Sequence, residues 1–378
     1  MPEILDWLAR LATLDVAEPG SIKTHGANFR LIATAPLDFD DSFVRVISAE
    51  KMVESFGSLP MPMSVLSFMD TGESDAFGDQ TLASQLGAVL TFATRRRVRV
   101  ASAEVPLQME GSSIMTFLPS TIVDREMLGP PEVDPKSAFE RLLMDLAGLP
   151  DEHSGAIVSA IESHYAATQL YDIDLHTAHT LLVAGIETLS GHFEPEAATW
   201  STFIDAERWD GFFEELALSQ EQADRMRHEL LSDKHTRLRQ RFVSYVIDRL
   251  TPDFWGVSVR DYTPGLTMTA ESGGEYTGMS EGRSIPIENF VPMDEAVLRR
   301  RLLATYDARS KFVHTGSKSI DQSSVLRSSV GSEMKRTEPI GFSGLRRILE
   351  WAIRHEISSH MRDSQLPSIR IRNVATSS

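Results

Sequence analysis

The stretch AVLRRRLLATYDARSKFVHTG, residues 296–316, indicates the fold of the C-terminal half of this chain. Its apolar residues recur at three- and four-residue spacing, which is the pattern of an amphipathic helix. Asp294 and Glu295 come just before it, and acidic residues in a first turn complement the helix dipole. Gly316 closes it, where glycine supplies a left-handed C-cap. We therefore predict one long helix whose last turns carry cations.

Helical periodicity extends over most of the chain beyond residue 136. Apolar residues there recur every three or four positions in several separate segments. These segments are residues 136–147, 155–168, 175–189, 206–216, 220–231, 235–250, 293–314 and 344–361. Two polar insertions, near residues 261–286 and 317–339, interrupt the pattern. We predict an all-α helical-bundle domain over residues 136–378.

The first 129 residues follow a different pattern. After a first helix at about residues 2–14, short apolar runs alternate with turn residues, and each run has the length of a strand. The runs are NFRLIATA, SFVRVIS, MSVLSFM, AVLTFAT and RVRVA. The string LGPPEVDP, residues 128–135, is a linker candidate because its prolines exclude helix. The predicted fold class is α+β, with a strand-rich N-terminal domain over residues 1–129 followed by the helical domain.

Composition excludes several classes of protein. The chain has 378 residues and no cysteine. This removes disulfides, thiolate catalysis and iron–sulfur clusters, and it is typical of a reducing cytosol. No run of 18 apolar residues occurs, and the acidic N-terminus is unlike a secretory signal. We expect a cytoplasmic protein that does not enter a membrane.

Charge is distributed unevenly along the chain. The formal net charge is −17, which at first argues against a nucleic-acid partner. Residues 294–378, however, hold 15 Lys+Arg and 9 Asp+Glu, a net of +6, so the first 293 residues carry −23. The C-terminal part is therefore where we expect contacts with a phosphate backbone.

Arg309 and His314 stand out near the end of the predicted helix. They are five residues apart, which on a regular helix places them about 140° apart around the axis and about 7.5 Å apart along it. The helix dipole favours cations at this end, which is a purely structural explanation for both residues. For both to act on one phosphate, the helix must unwind near His314, or a second copy must complete the site by two-fold symmetry.

Residues 309–314, RSKFVH, match the R-x(4–6)-H signature of the HEPN superfamily, four-to-six-helix ribonucleases and their inactive relatives. The wider stretch, residues 303–316, resembles the Y-x-x-R-S-x-x-V-H-x-G form of the ApeA-like HEPN branch. Upstream, LHTAHTLLVAGIETLS, residues 175–190, is similar to an early helix of that branch, with Glu187 at its acidic position. The resemblance covers roughly residues 175–360, interrupted by the two insertions.

The resemblance implies an endoribonuclease that needs no metal and no cofactor, and that acts on RNA as a homodimer. The 2′-hydroxyl of RNA would attack the adjacent phosphate and leave a 2′,3′-cyclic phosphate and a 5′-hydroxyl. Arg309 and His314 would be the catalytic residues. A histidine can move protons near neutral pH, and an arginine offers a planar, charged fork to the phosphorane oxygens.

Other residues have supporting roles in this prediction. Glu187 would support the arginine, and Tyr306 would pack or hydrogen-bond beside it. Ser310 and Lys311 would bind or orient phosphate. Candidates for further RNA contacts are the basic residues Arg299, Arg300, Arg301, Arg346 and Arg347.

The same resemblance implies a biological setting. In related proteins a variable recognition or sensor domain precedes the HEPN domain, so the strand-rich domain would hold a phage-derived or regulatory ligand. Prokaryotic anti-phage defence, or a toxin-type system, would then be the context. This expectation rests on analogy between families and not on chemistry read from individual residues.

Two alternatives to the nuclease stay open. The first is an inactive HEPN module that binds RNA, a nucleotide or a protein partner. The second is a metal-dependent hydrolase built on His176 and His179, with Asp172 and Asp174 just before them. Histidines at i and i+3 can chelate a metal, but a convincing site needs further ligands at defined positions.

Three further clusters have both a functional and a structural interpretation. Asp38, Asp40 and Asp41 could hold Mg²⁺ or simply form a polar turn before a strand. The basic run at residues 95–99, between two predicted strands, could bind phosphate on a hairpin or protect a sheet edge from aggregation. Arg354 and His360 form a second R-x-H spacing on a predicted helix, which we interpret as a decoy.

Overall fold

The structure is a computed structural model of the 378-residue chain. It describes residues 3–13, 29–33, 37–40, 43–56, 59–69, 71, 76–104, 125–127, 133–193, 199–203, 205–232, 234–261, 264–269, 275–279, 282–316 and 338–361. The predicted insertion near 317–339 therefore lies almost entirely outside the described residues, as does most of the 128–135 linker. Asp41 and the C-terminal residues 362–378 also lie outside them.

The N-terminal region contains a five-stranded antiparallel sheet and two helices. In chain order the elements are α1 (Glu3–Thr13), β1 (Phe29–Ala33), β2 (Phe39–Asp40), β3 (Val44–Phe56), β4 (Leu59–Phe68), α2 (Ala76–Thr94) and β5 (Val98–Glu104). The strand order is β2-β3-β4-β1-β5. Phe29, Leu31, Ile32 and Ala33 of β1 are all buried, as expected for an inner strand of the sheet that is covered on both faces. The predicted mixture of strands and helices is confirmed here.

One predicted strand is a helix. The run AVLTFAT forms the end of α2, where every residue from 85 to 94 is buried, including Leu86, Val89 and Phe92. A helix covered on all sides is apolar on all sides, so a short window of it cannot be distinguished from a buried strand by periodicity. Of the two interpretations of the basic run at 95–99, the one that places it on a hairpin does not hold: residues 95–97 join α2 to β5, and residues 98–99 begin β5.

Helices dominate the rest of the chain. They are α3 (Pro135–Ala147), α4 (Asp151–Leu170), α5 (Leu175–Phe193), α6 (Ala206–Glu215), α7 (Gln220–Ser232), α8 (Lys234–Arg249), α9 (Glu295–Thr315) and α10 (Phe342–His360). Helix α5 contacts α4, α8, α9 and α10, so it lies at the centre of the bundle. Gly185 of α5 permits this packing, since a Cβ there would lie 2.9 Å from Leu349 of α10.

The C-terminal region is not all-α as predicted. Two antiparallel pairs lie between α8 and α9: β6 (Ser258–Asp261) pairs with β9 (Arg283–Pro286), and β7 (Pro264–Thr269) pairs with β8 (Glu275–Met279). They occupy the predicted polar insertion near 261–286. Its Gly, Ser and Thr content predicts a loop, although threonine and tyrosine also favour strands. The fold as a whole is broadly α+β.

The sheet and the helical bundle share one hydrophobic core. Gln85 of α2 connects the two parts, because it accepts from the backbone N–H of Ile4 at 2.7 Å and donates to Glu162 of α4 at 2.7 Å. Arg97 forms an ion pair of 2.7 Å with Asp172, which follows α4. The division into domains 1–129 and 136–378 stays a prediction. Among the described helices, none has the length and apolar character needed to cross a membrane.

Candidate active site

Helix α9 carries most of the predicted site residues and ends at Gly316 as predicted, whereas Asp294, predicted as a first-turn acid, is its N-cap. Asp294 accepts from the backbone N–H of Val297 at 2.8 Å, which satisfies one of the free donors of the first turn. Gly316 has φ +62° and donates its backbone N–H to the carbonyl of Phe312 at 2.9 Å. Since glycine tolerates a left-handed backbone, the helix ends here without strain.

Arg309 and Glu187 form the central contact of the site. Nη2 of Arg309 lies 2.7 Å from Oε2 of Glu187, which joins α9 to α5. The two side chains retain 24% and 20% of their exposure, so the pair is half-buried and still reached by solvent. Within the part of the chain that the structure describes, the covered Nε of Arg309 has no hydrogen-bond partner. The guanidinium is therefore held from one side and keeps an unused donor.

Tyr306 completes this contact. It lies one helical turn before Arg309, so both side chains face α5. The Tyr306 hydroxyl shares a hydrogen bond with Glu187, and its ring packs 5.6 Å from the ring of Phe242 in α8. Tyr306 is 2% exposed, so it is buried between Glu187 and Phe242.

The electrostatics of the three groups are coupled. Burial, and after it the carboxylate of Glu187, raise the pKa of Tyr306 to about 12. Burial also raises the pKa of Glu187, although Arg309 and the Tyr306 hydroxyl act in the opposite direction. Tyr306 is thus a neutral donor at physiological pH, and Arg309 is the permanently charged member of the group.

A second ion pair flanks the site. Arg239 of α8 lies 3.1 Å from Asp307 through Nε, and 3.2 Å from Asp205 through Nη1. The sequence analysis missed Arg239, Asp307 and Phe242. Asp307 lies beside Tyr306 in the motif, but the partners in α8 are brought there only by helix packing, for which the sequence carries no local signal.

His314 lies apart from Arg309 within one chain. Helix α9 is regular through Thr315, so it does not unwind near the histidine. The regular spacing keeps Arg309 and His314 about 140° apart around the axis. Ser310 lies four residues before His314 and shares its face instead. His314 and Lys311 are exposed, and Ser310 is partly exposed.

The predicted RNA-contacting arginines divide into two groups. Arg300 is exposed, and Arg299 is partly exposed beside Glu295, at 2.8 Å. Arg301, by contrast, is 4% exposed and donates to the backbone carbonyls of Glu338 and Pro339 at 2.9 and 2.8 Å. Arg301 therefore stabilises the segment before α10. Its predicted role as an RNA contact is corrected, because its side chain is buried and its donors are used within the chain.

Arg346 and Arg347 are also buried and not on the surface. Both form ion pairs with Glu126, and Arg347 pairs in addition with Glu350 at 2.8 Å. Their predicted role in binding RNA is corrected for the same reason: a guanidinium inside the core is held by carboxylates of its own chain. The surface of this region is therefore less positive than its sequence suggests, because Arg346 and Arg347 are buried and Glu126 from the N-terminal region balances part of their charge.

The residues of the metal-hydrolase alternative have structural partners. His176 stacks on Phe312 with ring centroids 6.0 Å apart, and His179 donates Nε2–H to the carbonyl of Ile340 at 2.9 Å. Asp174 caps α5 by accepting from the backbone N–H groups of His176 and Thr177 at 3.2 and 3.3 Å, and Asp172 pairs with Arg97. Across the described ranges, no group of three or more histidine, aspartate or glutamate side chains is arranged to hold a metal ion.

The second R-x-H spacing does not form a site either. Arg354 lies over the ring of Phe92 at 4.8 Å. His360 lies at the far end of α10, where its ring packs 4.8 Å from Phe193 and 4.4 Å from His153. Asp38 is exposed, whereas the side chains of Asp40 and Asp41 lie outside the described residues.

Comparison of the chain with protein-family models, with curated proteins and with solved structures gives no match in any of the three.

Proposed function

We propose that this chain is a metal-independent endoribonuclease of the HEPN type, active as a homodimer, with Arg309 and His314 as its catalytic residues. The observation that carries the proposal is the Glu187–Arg309 contact at 2.7 Å. It holds the guanidinium of a predicted motif arginine at a partly exposed position, near the end of a helix that also presents His314 to solvent.

The chemistry needs little from the protein. The 2′-oxygen of a ribose forms a bond to the adjacent phosphorus while the bond to the 5′-oxygen breaks. A proton leaves the 2′-hydroxyl and another reaches the departing 5′-oxygen, which gives a 2′,3′-cyclic phosphate and a 5′-hydroxyl. His314 suits the proton transfers, and Arg309 suits the charge that accumulates on the phosphorane oxygens.

Geometry is the reason for proposing a dimer. Arg309 and His314 lie on different faces of one regular helix, so one copy of α9 does not direct both at the same phosphate. A two-fold axis beside the last turns of α9 would place the arginine of one copy near the histidine of the other. Val313, 53% exposed beside His314, is an apolar side chain that such a contact would cover.

The proposal places the protein in the cytoplasm, in anti-phage defence or a toxin-type system, with host or viral RNA as substrate. Arg299, Arg300, Ser310 and Lys311 are the remaining candidates for contacts to phosphate. The ligand of the N-terminal region would be a phage-derived or regulatory molecule. These statements follow from the resemblance of the α9 motif, and RNA cleavage is the first of them to test.

The test is cleavage of 5′-labelled RNA by the purified chain in excess EDTA. We expect cleavage with 2′,3′-cyclic phosphate ends, lost in Arg309→Ala and His314→Ala. Arg225→Ala and His228→Ala serve as matched controls, since both residues are exposed on α7. RNA binding without any cleavage would support the alternative of an inactive HEPN module. Cleavage that EDTA abolishes would overturn the metal-independent mechanism.

A further inference from the structure

A cavity of about 620 Å³ lies where the end of α2, one side of α3 and Arg354 of α10 meet. This volume is within the range of roughly 300–1,000 Å³ that is typical of sites for small molecules. The cavity is separate from the Arg309 site, whose residues do not line it. Three of its lining residues are arginines from three different elements: Arg95, Arg141 and Arg354.

Arg95 occupies this position in a strained conformation. Its φ of 51° lies in the left-handed region, which is uncommon for residues other than glycine and costs free energy. The strain turns the chain sharply after α2, so that the Arg95 side chain lines the cavity. Its Nε lies 3.4 Å from a carboxylate oxygen of Glu350, and 29% of the side chain is exposed. The exposed part of the side chain can be reached by a ligand.

Arg354 and Arg141 add charge around the same space. The Arg354 guanidinium lies over the ring of Phe92, at 4.8 Å, and donates to the backbone carbonyl of Phe92 at 3.5 Å. Arg141 is exposed on α3. The cavity also has two carboxylates, but Asp134 is already used to cap α3, accepting from Ser137 at 2.9 Å. Three arginines and two carboxylates, Asp134 and Asp145, thus line the cavity, and Glu350 lies beside Arg95.

The rest of the cavity wall is apolar. Ala93, Val133, Ala138 and Leu142 contribute to it. A site that combines several cations with an apolar wall suits a ligand that has an anionic end and a less polar remainder. Arginine is suited to phosphate in particular, because its planar fork binds two oxygens at once.

We propose that this cavity binds a small phosphorylated molecule of the size of a nucleoside monophosphate, with its phosphate between Arg95, Arg141 and Arg354. The ligand would be regulatory, because no residue of the Arg309 site lines the cavity, which lies between α2 of the N-terminal region and α3 and α10 of the bundle. Arg95 provides the connection: a phosphate that engages it competes with Glu350, which also holds His164 at 3.1 Å and Arg347 at 2.8 Å.

Two variants with opposite expected effects test the proposal. Binding is measured by isothermal titration calorimetry of the full chain, with AMP, GMP, CMP, UMP and pyrophosphate as separate probes. Arg141→Gln should weaken binding about tenfold, the loss expected for one charge-assisted hydrogen bond. Asp145→Asn should strengthen it, because it removes a carboxylate that repels phosphate. Arg208→Gln, an exposed arginine on α6, is the matched control and should leave affinity unchanged.

The variant Arg309→Ala separates this site from the candidate active site. We expect it to keep the affinity of the parent chain for the probe. Loss of binding in Arg309→Ala but not in Arg141→Gln would place the ligand at the active site and overturn the inference. Absence of measurable binding of all five probes would also overturn it, whereas loss of RNA cleavage alone would count only against the nuclease. Binding of pyrophosphate but of no nucleotide would reject the nucleoside part of the proposed ligand.

Discussion

Nη2 of Arg309 lies 2.7 Å from Oε2 of Glu187, so that a cation near the end of α9 is tied to an acid in the central helix of the bundle. Because both side chains are only partly buried, we expect a modest coupling. A double-mutant cycle with Arg309→Ala and Glu187→Ala should give an interaction free energy of about 1 kcal/mol in urea unfolding. A coupling indistinguishable from zero would mean that the pair does not hold the guanidinium in solution.

The proposed dimer makes a prediction about mixtures of inactive variants. If Arg309 of one copy acts with His314 of the other, a heterodimer of Arg309→Ala and His314→Ala contains one intact site. Random mixing in equal amounts should then restore about a quarter of the parent activity. RNA cleavage after unfolding and refolding the two variants together measures this. No recovery, with both variants refolded and dimeric, would show that the two groups act within one chain.

Glu126 is expected to be important for stability, because Arg346 and Arg347 are buried against it. Glu126→Gln leaves two guanidinium groups in the core with less than their balancing charge, and should cost about 3–5 kcal/mol. The control is Glu140→Gln. It removes the carboxylate from a solvent-exposed ion pair with Lys136 and should cost less than about 0.5 kcal/mol. Equal urea midpoints for the two variants would contradict the buried network.

His179 should make stability depend on pH. Burial lowers its pKa from 6.5 to about 4, and Nδ1 has no hydrogen-bond partner among the described residues. Between these values the unfolded chain binds a proton that the folded chain excludes, so stability is full above pH 6.5 and falls as the pH decreases towards 4. The contribution is about 3 kcal/mol over that window.

The variant His179→Gln checks this, since glutamine can still donate to the carbonyl of Ile340 but does not titrate. The free energy of unfolding of the variant should change less between pH 7 and pH 4.5 than that of the parent. His228→Gln, at an exposed position on α7, should leave the pH profile of the parent unchanged. A parallel profile for parent and His179→Gln would show that another group controls acid stability.

Elements with a strong local pattern could be predicted from the sequence. Helix α9, with its cap at Asp294 and its left-handed end at Gly316, follows from apolar spacing and cap chemistry, both of which act within a few residues. Helix α2 could not be predicted, because burial on all sides erases the polar face that marks a helix. The strand pairs between α8 and α9 could not be predicted either, because their Gly- and Ser-rich composition resembles that of a loop.

The sequence by itself determined which residues can do chemistry, because guanidinium, imidazole and carboxylate groups are properties of the residues. It also determined that Arg309 and His314 would lie on different faces, since helical spacing fixes this once the helix forms. Only the tertiary structure decided that Glu187 meets Arg309 while Arg346 and Arg347 turn inward to Glu126. Those contacts join residues far apart in the chain, and packing of the whole core selects them, a long-range effect that no local pattern of residues records.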